Sequence, residues 1–201
     1  MIKAYVLLFL AMCLSGGSFA RAFNVTASPY FGISGSSTSV EYANYNGIDY
    51  SAAMPKKFMG LGAHFGMEMH ENLAMEIGYD ATQKESAEVS GVTGISSLSA
   101  KLNAIRVDIM PKIRTGNDMQ LVGILGIVSG VNSVQLNKHD ASVEGKFQQG
   151  GFSNGYQYGV GIWKDLSHNS MTRFEYRKQF LDYGGIANQV EMISVGISFK
   201  M

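Results

Sequence analysis

Ile193-Ser194-Val195-Gly196-Ile197-Ser198-Phe199-Lys200-Met201 alternates without a break. Ile193, Val195, Ile197, Phe199 and Met201 fall on one face; Ser194, Gly196, Ser198 and Lys200 fall on the other. Successive side chains of an extended chain point to opposite sides, so a period of two is the mark of a strand with one apolar and one polar face. The polar face is unusual. Apart from Lys200 it is built from small residues, which leave space rather than fill it.

Seven further segments repeat the pattern. Met59, Leu61, Ala63, Phe65 and Met67 alternate with Gly60, Gly62, His64, Gly66 and Glu68. After the short break 69–72, Leu73, Met75, Ile77 and Tyr79 alternate with Ala74, Glu76, Gly78 and Asp80. The first strand spans about 24–35, with Val25, Ala27, Phe31 and Ile33 opposite Thr26, Ser28, Tyr30 and Ser34. The fourth spans about 100–113, with Ile105, Val107, Ile109 and Ile113 opposite Arg106, Asp108, Met110 and Lys112. The fifth, about 119–130, is apolar on both faces from Leu121 to Val128, so its parity stays open. In the sixth, about 155–165, Tyr156, Tyr158, Val160 and Ile162 oppose Gln157, Gly159, Gly161 and Trp163. In the seventh, about 171–180, Phe174, Tyr176 and Phe180 oppose Arg173, Glu175, Arg177 and Gln179. The eighth runs over about 190–201.

The connections alternate in length. Segments 69–72, 114–118 and 166–170 are tight, whereas 36–57, 83–99, 131–154 and 181–189 are long or polar. Tight turns on one side and long loops on the other are the layout of a membrane barrel. A soluble barrel or sandwich turns its apolar face inward. Here the glycines and charges suit a narrow lumen, and the continuous apolar face, aromatic at its ends, suits lipid. Open sheet edges do not persist in hydrocarbon, so the sheet must close. The expected fold is all-β: an eight-stranded antiparallel up-and-down transmembrane β-barrel over residues 23–201.

Composition agrees. The 201 residues include 16 basic and 16 acidic side chains, so no net field draws the chain to nucleic acid. Glycine is abundant at 24 and proline scarce at 3. The only cysteine, Cys13, lies within residues 1–22, which read as a secretory signal peptide: Lys3, an apolar run from Ala4 to Leu14, then small residues with cleavage after Ala20 or Ala22. The remaining chain then has no disulfide framework and no cysteine nucleophile.

Several pieces taken in order, Tyr30-Phe31-Gly32, Gly60-Leu61-Gly62 with Phe65-Gly66, Leu73 to Tyr79, Gly159-Val160-Gly161, Arg173 to Arg177 and Val195 to Phe199, resemble the small outer-membrane β-barrels of Gram-negative bacteria. These are the transmembrane domain of outer-membrane protein A and the opacity-type surface antigens. The resemblance implies a monomer in the outer membrane, set among lipid and lipopolysaccharide, and inserted by the barrel-assembly machinery through its last strand. Such strands usually end in an aromatic residue; here Phe199 is third from last and Met201 is terminal. With no further domain after the barrel, a peptidoglycan-binding role is not expected.

The polar faces bring Glu76, Arg106, Asp108, Arg173, Glu175 and Arg177 into one lumen, where unpaired charge is costly and pairing is therefore expected. In proteins this chain resembles, such networks plug the lumen, and their rearrangement gates a narrow pore. His168-Asn169-Ser170 with Glu175 matches the residue types of lipid A deacylases, but its parity puts it in a tight turn. His64 reads as a hydrogen-bonded lumen residue. Neither it, His70 nor His139 forms a pair with metal spacing, and no metal or other cofactor is expected. In the long loops Tyr42, Tyr45 and Tyr50, then Lys138, Lys146 and Phe147, supply a composition suited to contact with extracellular or host ligands. The expected function is non-enzymatic: structural integrity, adhesion or antigenic display. The alternatives are a narrow gated pore and a lipid-modifying enzyme.

Overall fold

The computed structural model describes residues 28–42, 54–88, 97–116, 118–137, 146–181 and 187–201, and nearly all of them are in strands. These are β1 (Ser28–Tyr42), β2 (Lys57–His70), β3 (Leu73–Thr82), β4 (Glu85–Glu88), β5 (Ser97–Gly116), β6 (Met119–Asn137), β7 (Lys146–Ser167), β8 (Ser170–Leu181) and β9 (Ala187–Lys200). β3 and β4 are two pieces of one stave, and both pair with β5. Every pairing is antiparallel, and β9 returns to β1 from Tyr30↔Lys200 to Tyr42↔Ala187. The result is a closed eight-stranded barrel, as the alternation predicts. Residues 1–22, expected to be a signal peptide, lie outside the described residues.

The tight turns close one end, which we call the inner end. Gly116 (φ 87°) and Asp118 (φ 59°) supply the left-handed backbone that the β5–β6 turn needs. The apolar face points outward, and Ile33, Leu61, Ile113, Leu125, Tyr156 and Val195 are all exposed around the wall. Phe31 and Phe199 meet at 5.5 Å near the inner end. Tyr156 and Phe180 stack at 4.9 Å toward the outer end. Two aromatic levels bounding an apolar band are the signature of a barrel set in a bilayer. The open parity of the fifth strand resolves: Val122, Ile124 and Val128 point inward, and Leu121, Leu125 and Ile127 outward.

The strands run further than expected at the outer end. β1 continues to Tyr42 instead of stopping near 35, β6 continues to Asn137 instead of 130, and β7 begins at Lys146 instead of 155. The reason is an inversion. In the apolar band, Ile33, Ile105 and Ile193 face out while Ser34, Arg106 and Ser194 face in. Above it, Ser39, Glu41, Lys101 and Glu191 face out while Val40, Tyr42, Leu102, Val190 and Met192 are buried inside. The alternation persists but its chemistry flips. Above the band the wall faces water and needs a polar exterior over an apolar core.

Candidate functional site

Inside the barrel the side chains form three layers. The middle one is charged and contains all six residues expected there. Arg106 Nη1 donates to Glu76 Oε1 at 2.7 Å and to Asp108 Oδ2 at 2.5 Å, and its Nε donates to Asp80 Oδ2 at 3.0 Å. Arg173 Nη1 donates to Glu76 Oε2 at 2.6 Å, and its Nη2 donates to Glu175 Oε1 at 2.5 Å. Arg177 Nη2 lies 2.6 Å from Glu175 Oε2 and 3.6 Å from Glu76 Oε1. Charge holds it there, since neither its Nε nor its Nη2 has an aligned hydrogen bond. All seven side chains are almost wholly buried. An ion network survives such burial only when its charges are paired and its lone pairs used.

Further inward-facing residues complete the layer. Tyr30 Oη donates to Glu76 Oε2 at 3.1 Å, and Trp163 Nε1 donates to Glu175 Oε1 at 2.8 Å. The Arg173 guanidinium lies 4.3 Å from the Trp163 ring centre, close enough for a cation–π contact. Gln157 Nε2 donates to Asp108 Oδ1, and Gln179 Nε2 donates to Gln157 Oε1 at 3.0 Å. His64 Nε2 is 2.7 Å from Ser198 Oγ. Asp80, Tyr30, Trp163 and both glutamines share the parity of the six expected residues. The same rule could therefore have assigned them to the network.

Apolar layers lie on either side. Toward the inner end Tyr30, Ala74, Met110, Val122, Ile124, Trp163 and Met171 form one buried cluster. Below it Lys112 Nζ bonds Glu68 Oε1 at 2.6 Å. Toward the outer end Val40, Tyr42, Phe58, Leu102, Val128, Leu181 and Val190 form the other, joined by Met54. The segment before β2 is drawn in over this cluster. Val40 N bonds Lys56 O at 2.8 Å, and Tyr42 Oη donates to Pro55 O at 2.6 Å.

The expected loop contacts fare differently. Tyr42 is not a loop residue: it ends β1 and is buried in the outer apolar layer. Lys146 and Phe147 open β7 on the strand, paired with Asn137 and Leu136. Tyr45, Tyr50, Lys138 and His139 lie outside the described residues. His168 sits in the tight β7–β8 turn, and Ser170 begins β8 with its hydroxyl 2.7 Å from Ser167 Oγ. Glu175, their possible carboxylate partner, is committed to Arg173, Arg177 and Trp163. Among the described residues no group of three or more His, Asp or Glu is placed to hold a metal ion.

A family model described as outer membrane protein beta-barrel domain matches residues 7–200. The fold is similar to that of Ail, the attachment invasion locus protein of Yersinia pestis, solved with the heparin analogue sucrose octasulfate: 14% identity, TM-score 0.56, covering 87% of this chain and 99% of that one. It is similar to neisserial surface protein A at 15% identity and TM-score 0.57, covering 87% and 99%. It is also similar to OprG of Pseudomonas aeruginosa at 12% identity and TM-score 0.54, covering 87% and 96%. No curated protein sequence matches the chain.

Proposed function

For a chain that belongs to the outer membrane protein β-barrel family and resides in the bacterial outer membrane, we propose a non-enzymatic surface role: a sealed barrel that stabilises the membrane and displays its outer face for adhesion or antigenic contact. The observation that carries this reading is the filled lumen. Charged side chains packed between two clusters of buried apolar side chains fill the described lumen. Eight strands leave an interior only just wide enough for side chains. A narrow gated pore would have to displace Met54 and Phe58 above as well as Trp163 and Met110 below.

The outer end is the tall one. The β7–β8 ladder stops at Gly155↔Leu181, but the β6–β7 ladder continues nine residues further, to Asn137↔Lys146. At about 3.3 Å per residue this hairpin adds roughly 30 Å of strand beyond that point. It supports contact at the cell surface, and the segments 43–53 and 138–145 are the contact regions. The barrel-assembly machinery takes β9 during insertion, and the leader 1–22 is removed beforehand. Catalysis is disfavoured because His168 and Ser170 sit at the inner turn while Glu175 is held by arginines.

The test uses the mature chain refolded into a planar bilayer, with folding verified by the heat-dependent gel shift. Folded, inserted protein is expected to be silent; discrete current steps would replace this reading with the pore. Surface binding is tested on whole cells with heparin as the first probe, chosen because Ail was solved with a heparin analogue, and with host cells as the second. Deleting residues 43–53 or 138–145 and bridging the gap with a short Gly-Ser turn removes no described residue and is expected to lower cell binding. Undiminished binding by both deletions would remove the adhesion reading.

A further inference from the structure

Within the apolar band two described glycines share the outward parity, and the wall treats them differently. Gly123 on β6 is covered: a Cβ there would lie 3.2 Å from Pro111 Cγ, so the proline ring takes the place of a side chain. Gly35 on β1 has nothing within 4 Å of that position. Its register partners are Leu61 on β2 and Val195 on β9. Neither leans over it, and Leu61, at 74%, is the most exposed of the large apolar side chains described. The result is a groove of about 630 Å³ on the outside of the wall. Gly35 is its floor; Met59 and Leu61 form one bank, and Ile193 and Val195 the other.

The groove lies at the outer edge of the apolar band. Its top row is Met59, Ser37 and Ile193; the next outward row is Lys57, Ser39 and Glu191, the first on these staves with no apolar residue. Glu191 is taken up by Lys178 at 3.2 Å. Lys57 is exposed and makes no ion pair among the described residues. The floor is therefore bounded by hydrocarbon side chains, and a free cation stands two residues above Met59 on the same strand. A gap in a wall that faces acyl chains forfeits dispersion contacts unless a flexible chain enters it. A molecule that answers both features has a hydrocarbon tail and an anionic head directly above it.

We propose that this groove seats one acyl chain of lipopolysaccharide, with a lipid A phosphate held against Lys57. The tight turns mark the opposite end as the inner one, so the row of Lys57 stands at the headgroup level of the outer leaflet. Lipopolysaccharide brings phosphate to that level immediately above its acyl chains. The groove is continuous with the apolar band, and the chain that fills it comes from the bilayer that the band already faces. The proposal rests on the placement of the barrel in the outer membrane and is independent of what the outer loops bind.

The test uses the full mature barrel refolded in detergent micelles, with folding checked by the heat-dependent gel shift. It is titrated with rough-type lipopolysaccharide, and native mass spectrometry counts what stays bound. One molecule is expected to be retained. Gly35→Leu fills the floor and is expected to weaken retention about tenfold, the worth of roughly two buried methylenes. Lys57→Gln is expected to weaken it about fivefold, the worth of one cation beside an anionic lipid surface. Leu61→Ala lowers one bank and is also expected to weaken it; this variant decides the matter if Gly35→Leu does not fold. Val131→Leu adds outward bulk on β6, across the barrel from β1, and is expected to change nothing. Unweakened retention by Gly35→Leu, Leu61→Ala or Lys57→Gln overturns the proposal. So does a parent that retains no lipopolysaccharide, that forms a dimer in its place, or that retains phosphatidylglycerol equally well.

Discussion

Gly78 and Arg106 face each other across the β3–β5 ladder, and the guanidinium occupies the space that a side chain at position 78 would need. A Cβ there would lie 2.5 Å from Nη2 and 2.6 Å from Nε. The relationship recurs around the wall. Gly126 is paired with Asp108, Gly159 with Arg177, and Gly161 with Glu175. Arg106, Asp80, Asp108, Arg177 and Glu175 each lie over a glycine on the next strand, Gly78, Gly62, Gly126, Gly159 and Gly161. Much of the glycine-rich polar face is therefore the footprint of the charged layer.

Substituting Gly78 should act on the network rather than on the backbone, because the atoms nearest its Cβ position all belong to the Arg106 side chain. Gly78→Val is expected to displace Arg106 and strand Glu76, Asp80 and Asp108, at a cost of about 3–5 kcal/mol, typical of a broken buried ion pair. Gly35→Val is the control: Gly35 faces lipid, with nothing within 4 Å of where its Cβ would be. Urea unfolding followed by gel shift measures both. Equal midpoints would show that the layer adapts to crowding and that Gly78 is not there to make room.

Removing Glu76 is expected to destabilise the barrel without opening it. Glu76→Ala leaves Arg106 and Arg173 short of a partner inside the wall, again about 3–5 kcal/mol. The apolar layers remain in place, so the folded variant should stay silent in a planar bilayer. Current should appear only when Phe58 and Met110 are also cut to alanine, which thins the outer and inner layers together. Steps from Glu76→Ala alone would make the charged layer the whole plug.

The parity of the apolar band was legible because lipid and lumen impose opposite chemistry at every step, as Ile193 and Ser194 show. All six charges assigned to the lumen are there for that reason. The fifth strand was not legible: Val122 and Ile124 belong to the inner apolar layer, so both faces of that strand are apolar. The outer strand ends were missed because Val40 and Tyr42 keep the period but reverse its meaning, and a reading that equates apolar with outward stops where they begin. The joining of Asp80 to Arg106, or of Trp163 to Glu175, depends on the register between neighbouring strands, which no single strand carries.

If the apolar band faces lipid, charge on it must be expensive. Leu125 is exposed near the middle of the band. Leu125→Arg is expected to cost about 2–4 kcal/mol in refolding to a bilayer, the range for arginine at the midplane. Ser39→Arg, outward but above the inversion, should cost little. Refolding yield in liposomes against urea separates the two. A harmless Leu125→Arg would place the membrane elsewhere on the wall.

The inversion itself is tested by two adjacent residues. Phe58 and Met59 are neighbours in β2, but Phe58 is buried in the outer apolar layer and Met59 is exposed on the outside. Phe58 packs in the cluster that holds Val40, Leu102 and Met54, a core of the water-facing kind. Phe58→Ala should therefore leave a cavity and cost about 3–5 kcal/mol. Met59→Ala removes only lipid contact and is expected to cost less than about 1 kcal/mol, because the lost neighbours are acyl chains that close over the gap. Equal losses, read from urea midpoints in the same lipid, would mean that the outer layer does not pack as a core and that the strand extension to Tyr42 adds no stability.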